Sequence, residues 1–215
     1  MNGRLRRARA NLAVLREVCR EWWVQAALLA VALLGAGVLA GFRVNVTRSY
    51  PLGLYRVVGD ASAVERGSVV IVCLPPDWAR FALRRGILGP GHCEGGSYGL
   101  GKMVLAVGGD VVELRRDRLA VNGVPVRGSR TLEQDSRGRP MPHYAWGRYA
   151  LRQGEVWLYS SYHVAAFDSR YFGPVTVTRI QAVIRPVWAD ASPHEPTAAF
   201  RISCRIGTST GIISR

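Results

Sequence analysis

A single lysine stands in a chain whose other basic residues are all arginine. Of the 29 Lys and Arg residues, all but Lys102 are arginine. The guanidinium of arginine stays protonated at any accessible pH, whereas the amine of a lysine can lose its proton in apolar surroundings. Lys102 begins an apolar, strand-like run that ends in a Gly-Gly-Asp turn at 108–110. The pattern favours a deprotonatable amine, although a compositional bias against lysine would also leave one survivor.

Two other segments carry side chains suited to catalysis. Ser49 precedes Pro51 and Gly53, which favour a turn that would expose the serine hydroxyl. The segment 167–173 reads Phe-Asp-Ser-Arg-Tyr-Phe-Gly and contains Asp168 and Arg170. Taken singly, the first segment could equally be a juxtamembrane linker. The second could be a strand-ending loop with an ordinary ion pair.

The N-terminal region has the composition of a membrane anchor. Residues 1–21 include six arginines, and residues 22–42 then carry no charge. About 21 helical residues span ~31 Å, close to the ~30 Å hydrocarbon core of a bilayer. Trp22 and Trp23 are typical of an interfacial anchor, and the positive-inside rule places residues 1–21 in the cytoplasm and the rest outside. A cleaved signal peptide is the alternative, but the span is longer than a usual signal core.

The net charge of +14 first suggests nucleic-acid binding. The positive charges are dispersed, however, and the chain has no helix-turn-helix, zinc-finger or RNA-recognition signature. A basic surface that faces an anionic bilayer explains the charge better. We therefore expect the lipid bilayer, and no nucleic acid, as a partner.

Two cysteines of the exported part flank a segment with proline and glycine. An oxidising compartment permits a disulfide between Cys73 and Cys93. A zinc site is less expected, because His92 is the one histidine nearby and no paired Cys-x-x-Cys exists. We expect no metal and no cofactor.

Beyond the anchor, short apolar runs separated by turn residues predict a mainly β domain over residues 43–188. Asn122-Gly123 is the strongest hairpin signal. Residues 77–86 are the good soluble-helix candidate, 128–149 are typical of a long loop or insertion, and 189–215 of a flexible tail. The predicted strands are 54–58, 68–73, 102–107, 111–114, 118–121, 155–159 and 175–187.

Three ordered motifs resemble those of the type I signal peptidases, most closely the conjugative-transfer (TraF-type) branch. They are Ser-x-Pro-x-Gly-Leu-Tyr at 49–55, Lys with an apolar run and Gly-Asp at 102–110, and the segment 167–173. The resemblance covers roughly residues 40–187, and the segment from Cys73 to Cys93 also looks like that branch. It implies an antiparallel signal-peptidase-like β domain with one N-terminal transmembrane helix. The chain would cross the bacterial inner membrane once, with its catalytic domain on the periplasmic side.

The resemblance also assigns roles to residues. Ser49 would be the nucleophile, and neutral Lys102 the general base that takes its proton. The backbone N–H of Ser49 and the hydroxyl of Thr47 would hold the oxyanion. Asp168 and Arg170 would pair with each other and brace the lysine strand.

The chain departs from the family pattern near the lysine. The family usually has an arginine directly after the lysine, where this chain has Met103. Signal peptidases often carry a serine two residues before the aspartate that helps to orient the lysine, and here that position is Ala166. Ser160 or Ser161 would have to substitute for it.

These observations favour a membrane-bound serine endopeptidase that cuts exported precursors after small residues near the membrane. The resemblance implies membrane-anchored, pilin-like substrates of a conjugative transfer system, and possible head-to-tail cyclisation. One alternative is a hydrolase with a Ser-His-Asp triad of Ser49, His163 and Asp168. Another is a membrane-anchored subunit of a transfer or secretion apparatus without catalytic activity.

Overall fold

The computed structural model describes residues 2–46 and 50–189, with residues 2–20 described by their backbone alone. The chain divides into two units, and the boundary falls between Arg43 and Val44. The first unit is built on one long helix, α1 (Asn2–Leu39). The second is a mainly antiparallel β domain. The predicted fold class, a β domain with one N-terminal apolar helix, is confirmed.

Helix α1 continues without a break from the basic segment into the apolar one. Its part Glu21–Leu39, 19 residues long, is apolar and long enough to cross a membrane, and none of it is buried. Nineteen residues correspond to about 28 Å of helix, close to the thickness of the hydrocarbon core. The helical part ends before the predicted limit at residue 42, because Phe42 already belongs to strand β1 (Phe42–Asn45).

A seven-stranded sheet forms the larger part of the β domain. Its order is β1-β2-β11-β3-β4-β9-β10, and the pairings from β2 to β10 are antiparallel. Central strands such as β4 therefore pair with a neighbouring strand along both edges. The remaining bounds are β2 (Gly53–Gly59), β3 (Val69–Val72), β4 (Leu100–Val107), β9 (Glu155–Tyr159), β10 (Val175–Thr176) and β11 (Ile180–Ala189).

A second, four-stranded antiparallel sheet has the order β7-β6-β5-β8. The β6–β7 hairpin turns at Asn122 and Gly123, as predicted, and both have the positive φ that this turn needs. A shared apolar cluster, which includes the fully buried Trp157 of β9, packs the two sheets together. The strands are β5 (Val111–Leu114), β6 (Leu119–Val121), β7 (Val124–Val126) and β8 (Gly147–Ala150).

The prediction of one continuous strand over 175–187 is wrong. The chain forms β10, a short 3-10 turn over Val177–Arg179, and then β11. Strand β10 pairs with β9 at one edge of the large sheet, whereas β11 lies between β3 and β2. One straight strand cannot occupy both places, so the turn is required. Strands β1 and β8 were not predicted, and β8 lies largely inside the predicted loop 128–149.

Helix α2 (Pro76–Arg85) matches the predicted 77–86 within one residue, and Gly86 ends it. The helix buries Ala79 and Ala82 in the main apolar cluster of the domain. A disulfide joins Cys73 to Cys93 across a sequence separation of 20, with Cα atoms 5.4 Å apart. It ties the segment after α2 to the end of β3.

Candidate active site

Lys102 lies in the centre of the large sheet. It pairs with Val70 of β3, and the next residue, Met103, pairs with Tyr159 of β9. Lys102 is only 1% exposed. Among the described residues, no hydrogen-bond partner reaches its Nζ. A buried amine of this kind carries the full cost of desolvation whenever it is charged.

The cost of desolvation lowers the pKa of the Lys102 amine. Burial lowers the pKa of Lys102 from 10.5 to about 8. The negative charge of Asp168 opposes this shift, and the positive charge of Arg170 adds to it. A substantial fraction of the amine is therefore neutral in mildly alkaline solution, as a general base requires.

Asp168 and Arg170 form a fully buried ion pair beside the lysine. The guanidinium donates from Nε to Oδ1 at 2.8 Å and from Nη2 to Oδ2 at 2.9 Å, and both side chains are 0% exposed. The carboxylate also accepts from the backbone N–H of Arg170 at 3.1 Å, which caps the short helix α3 (Ser169–Phe172). The backbone N–H of Ser160 donates to Oδ2 at 3.2 Å. The pair predicted from the sequence is thus present, and it is a tightly bound unit.

The remaining donors of Arg170 reach the surrounding backbone. Nη1 donates to the carbonyl of Arg130 at 2.6 Å, and Nη2 donates to that of Ala166 at 3.1 Å. The guanidinium also lies 5.1 Å from the ring centroid of Tyr159. Arg170 therefore fastens the connection between β7 and β8 to the site. The hypothesis that Ser160 or Ser161 orients Lys102 stays a prediction.

The predicted nucleophile Ser49 and the predicted oxyanion residue Thr47 lie outside the described residues. The residue that follows Ser49, however, contacts the residue that precedes Lys102. A Cβ built on Gly101 would lie 2.1 Å from Cε1 of Tyr50, so the tyrosine ring occupies the space next to the glycine. This contact joins the turn at residues 50 and 51 to the strand that carries Lys102.

Two buried side chains hold the turn after position 49. Asn45 donates from Nδ2 to the carbonyls of Tyr50 at 2.9 Å and Pro51 at 3.0 Å. Tyr55 donates from its hydroxyl to the same Pro51 carbonyl at 2.7 Å, and its ring meets that of Tyr50 edge-on at 5.0 Å. Gly53 then starts β2 against Trp188, whose carbonyl would be 2.2 Å from any Cβ at position 53. The turn expected from Pro51 and Gly53 is therefore anchored at several points.

Two residues of the alternative triad, His163 and Asp168, use other partners than each other. His163 is exposed, and its Nδ1 accepts a hydrogen bond from the backbone N–H of Ala165 at 3.1 Å. The carboxylate oxygens of Asp168 accept from Arg170 and Ser160 instead. Within residues 21–46 and 50–189, no cluster of three or more His, Cys, Asp or Glu side chains could hold a metal ion.

Sequence reasoning missed the three residues that bring the two motifs together. Tyr50 and Gly101 are direct neighbours of the predicted dyad, and a glycine before a catalytic lysine could have suggested a close approach. Asn45 gave no such signal, because its pairing with the carbonyls of Tyr50 and Pro51 depends on the fold.

Comparison with known proteins places these features in a family. Residues 17–189 match the family model of signal peptidases, described as peptidase S26. The chain is 41% identical to a plasmid transfer protein TraF of Escherichia coli, over 76% of this chain and 92% of that protein. It is 42% identical to a conjugal transfer protein TraF of Agrobacterium fabrum, over 71% of this chain and 85% of that protein.

Among solved structures, the chain is similar to a signal peptidase I from Enterococcus faecalis V583. That likeness covers 56% of this chain and 95% of the other, at 16% identity and a TM-score of 0.32. A likeness this distant adds nothing to the family assignment, which the sequence matches carry.

Proposed function

Because the chain belongs to the signal peptidase family, peptidase S26, we propose that it is a membrane-anchored serine endopeptidase with a Ser49–Lys102 dyad. The observation that carries the proposal is the state of Lys102. Its amine is buried, its pKa is lowered to about 8, and no described residue donates to or accepts from its Nζ. The contact between Tyr50 and Gly101 supports the pairing of this base with a nucleophile at position 49.

In the proposed reaction, neutral Lys102 takes the hydroxyl proton of Ser49 while the serine oxygen attacks the scissile carbonyl carbon. The oxyanion of the tetrahedral intermediate is held by the backbone N–H of Ser49 and the hydroxyl of Thr47. The Lys102 ammonium then gives its proton to the leaving amine as the peptide bond breaks. This step leaves an ester between the substrate and Ser49.

A second nucleophile resolves the ester. Water, after losing a proton to neutral Lys102, would release the cleaved protein and regenerate the serine hydroxyl. A primary amine of the substrate would instead give a new peptide bond and a cyclic product. The proton balance at Lys102 is the same in both cases.

The proposed substrates are exported, membrane-anchored precursors of pilin type, cut after small residues. Two lines support this choice. The relatives that are about 41% identical over most of the chain are named as plasmid or conjugal transfer proteins. The helix segment Glu21–Leu39 suits a single membrane crossing. With the arginine-rich segment in the cytoplasm, the β domain would lie on the periplasmic side of the inner membrane, near substrates that emerge from it.

The test uses a strain from which the gene for this protein has been deleted. The precursor that accumulates is identified by mass spectrometry, and its processing is followed with variants of the full-length chain. We expect Ser49→Ala and Lys102→Arg to abolish processing, since arginine keeps the charge but cannot act as a base. His163→Ala is the matched control and should process normally.

Three outcomes would contradict the proposal. Processing by the Lys102→Arg variant would place the base elsewhere, and loss of processing in His163→Ala would favour the triad. If no precursor accumulates although transfer fails, the chain is a structural subunit of the apparatus.

A further inference from the structure

Asn45 is a buried polar residue that the reaction scheme leaves without a role. It is the last residue of β1 and is 6% exposed. A buried side-chain amide is costly unless its donors are paired. The amide nitrogen of Asn45 meets this condition with bonds to two consecutive carbonyls, those of Tyr50 and Pro51.

These two bonds close a short loop. The chain leaves the large sheet at Asn45 and is held again five and six residues later by the Asn45 amide itself. The predicted nucleophile is the residue directly before the first of these pinned carbonyls. Two consecutive carbonyls that accept from one buried amide have little freedom to move, so Asn45 fixes the backbone of residues 50 and 51.

A second donor reaches one of the same carbonyls. The hydroxyl of Tyr55, which is 2% exposed, donates to the Pro51 carbonyl at 2.7 Å, so that this oxygen accepts from both Asn45 and Tyr55. The edge-on contact of Tyr55 with Tyr50 holds the ring of Tyr50 against Gly101. The pinned segment is thereby connected to the strand that carries the lysine.

We propose that Asn45 is a positioning residue for the proposed peptidase reaction. Its two hydrogen bonds to the Tyr50 and Pro51 carbonyls set the position of the turn that follows Ser49 relative to the Lys102 strand. The inference rests on the proposed function of Ser49 and Lys102. It does not require Asn45 to touch the substrate.

The isosteric change Asn45→Asp is the sharpest test. It keeps the shape of the side chain but replaces the donor by a carboxylate oxygen that faces two carbonyl oxygens. A misplacement of about 1 Å in a catalytic group can lower the rate about 100-fold. We therefore expect kcat to fall about 100-fold with the accumulated precursor as substrate, while KM changes less than about threefold.

Asn122→Asp is the matched control. Asn122 also uses its amide within a turn, donating to Asp110 at 2.9 Å, but it lies in the β6–β7 hairpin. The same chemical change there should lower Tm and leave kcat intact. Each variant is measured at a temperature well below its own Tm, which separates positioning from a loss of folded protein.

The split between kcat and KM gives a readout that a purely structural role would not produce. The fall in kcat should exceed by far the unfolded fraction that circular dichroism measures for the Asn45→Asp enzyme at the assay temperature. Asn45→Gln, which restores the amide on a longer arm, should recover part of kcat.

The outcomes separate the inference from the function on which it rests. Wild-type kcat in folded Asn45→Asp, with Ser49→Ala and Lys102→Arg inactive, overturns the inference alone. Activity in those two dyad variants overturns the proposed function. A fall in kcat for Asn122→Asp equal to that for Asn45→Asp would show general destabilisation and also overturn the inference.

Discussion

The ring of Tyr50 lies directly over Gly101, and Cε1 of the ring would be 2.1 Å from a Cβ at position 101. A side chain at position 101 and the tyrosine ring therefore cannot occupy their places together. The contact joins the residue after the proposed nucleophile to the residue before the proposed base. Its geometry can be tested without changing either catalytic group.

Gly101→Ala should displace Tyr50 and the turn attached to it. We expect a loss of about 1–3 kcal/mol in the free energy of unfolding, typical of overpacking, together with a fall in kcat. The matched experiment repeats the change in a Tyr50→Ala background, where the added methyl group has room. Thermal unfolding of all four proteins should show that the stability cost of alanine at 101 nearly disappears there. An equal cost in both backgrounds would contradict the contact.

The sequence predicted those features that repeat locally. Alternating apolar runs located most strands, and Asn122-Gly123 located a hairpin turn. The one long strand predicted for 175–187 failed, because nothing local shows that β10 and β11 join different places in the sheet. The strand β1 was missed because it is only four residues long and begins directly after the apolar helix, where Gly41 alone marks the break.

Within the candidate site, too, the sequence predicted some features and missed others. Lys102, Asp168 and Arg170 stood out by type and by motif, whereas the pairing of Asn45 with two carbonyls arises only when β1 and the turn at 50–51 are brought together. The nucleophile Ser49 and its partner Thr47 stay predictions.

The activity should depend on pH through Lys102. The base must be neutral to accept the serine proton, so kcat/KM should rise with pH through a midpoint near the pKa of about 8 and level off above it. The profile is measured by initial rates on the precursor over a range from about pH 6 to 9.5. His163→Ala should give the same midpoint. A flat profile, or one that falls through pH 8, would exclude the buried amine as the base.

Lys102→Met should abolish activity and yet stabilise the folded chain. Burial lowers the pKa of the amine from 10.5 to about 8. While the lysine is charged, this shift lowers the free energy of unfolding by about 3 kcal/mol. The unfolded chain binds the extra proton between these two values, so the wild type gains stability as pH rises from 8 to 10.5.

The difference in stability between Lys102→Met and wild type is the quantity to follow. It should be largest and constant below pH 8 and should shrink as pH rises toward 10.5. Denaturant unfolding of both proteins at several pH values measures it, and other titrating groups cancel in the comparison. A variant less stable than wild type at pH 7 would show that the buried amine has a partner that stabilises it.

The disulfide should contribute to stability. In the chain-entropy model a bridge over about 20 residues stabilises a fold by about 3 kcal/mol. Replacing Cys73 and Cys93 together by serine should lower the free energy of unfolding by about this amount. Mass analysis of wild type after alkylation should find neither thiol modified until a reductant is added. Alkylation of both thiols in protein kept under oxidising conditions would contradict the bridge.

Removing either member of the buried ion pair should shift the midpoint of the pH profile, and the two shifts should have opposite signs. The charge of Asp168 raises the pKa of Lys102, and that of Arg170 lowers it. Asp168→Asn should therefore move the midpoint of kcat/KM to lower pH. Arg170→Met should move it to higher pH, because it removes a cation and leaves the Asp168 carboxylate for the lysine.

Both variants should also lose about 3–5 kcal/mol of stability, since each leaves an unpaired buried group. The rates are therefore measured at low temperature, after circular dichroism has shown that each protein is folded. A loss of stability alone cannot produce two shifts of opposite sign. Equal midpoints in the two folded variants would show that the pair only supports the fold and does not tune the lysine.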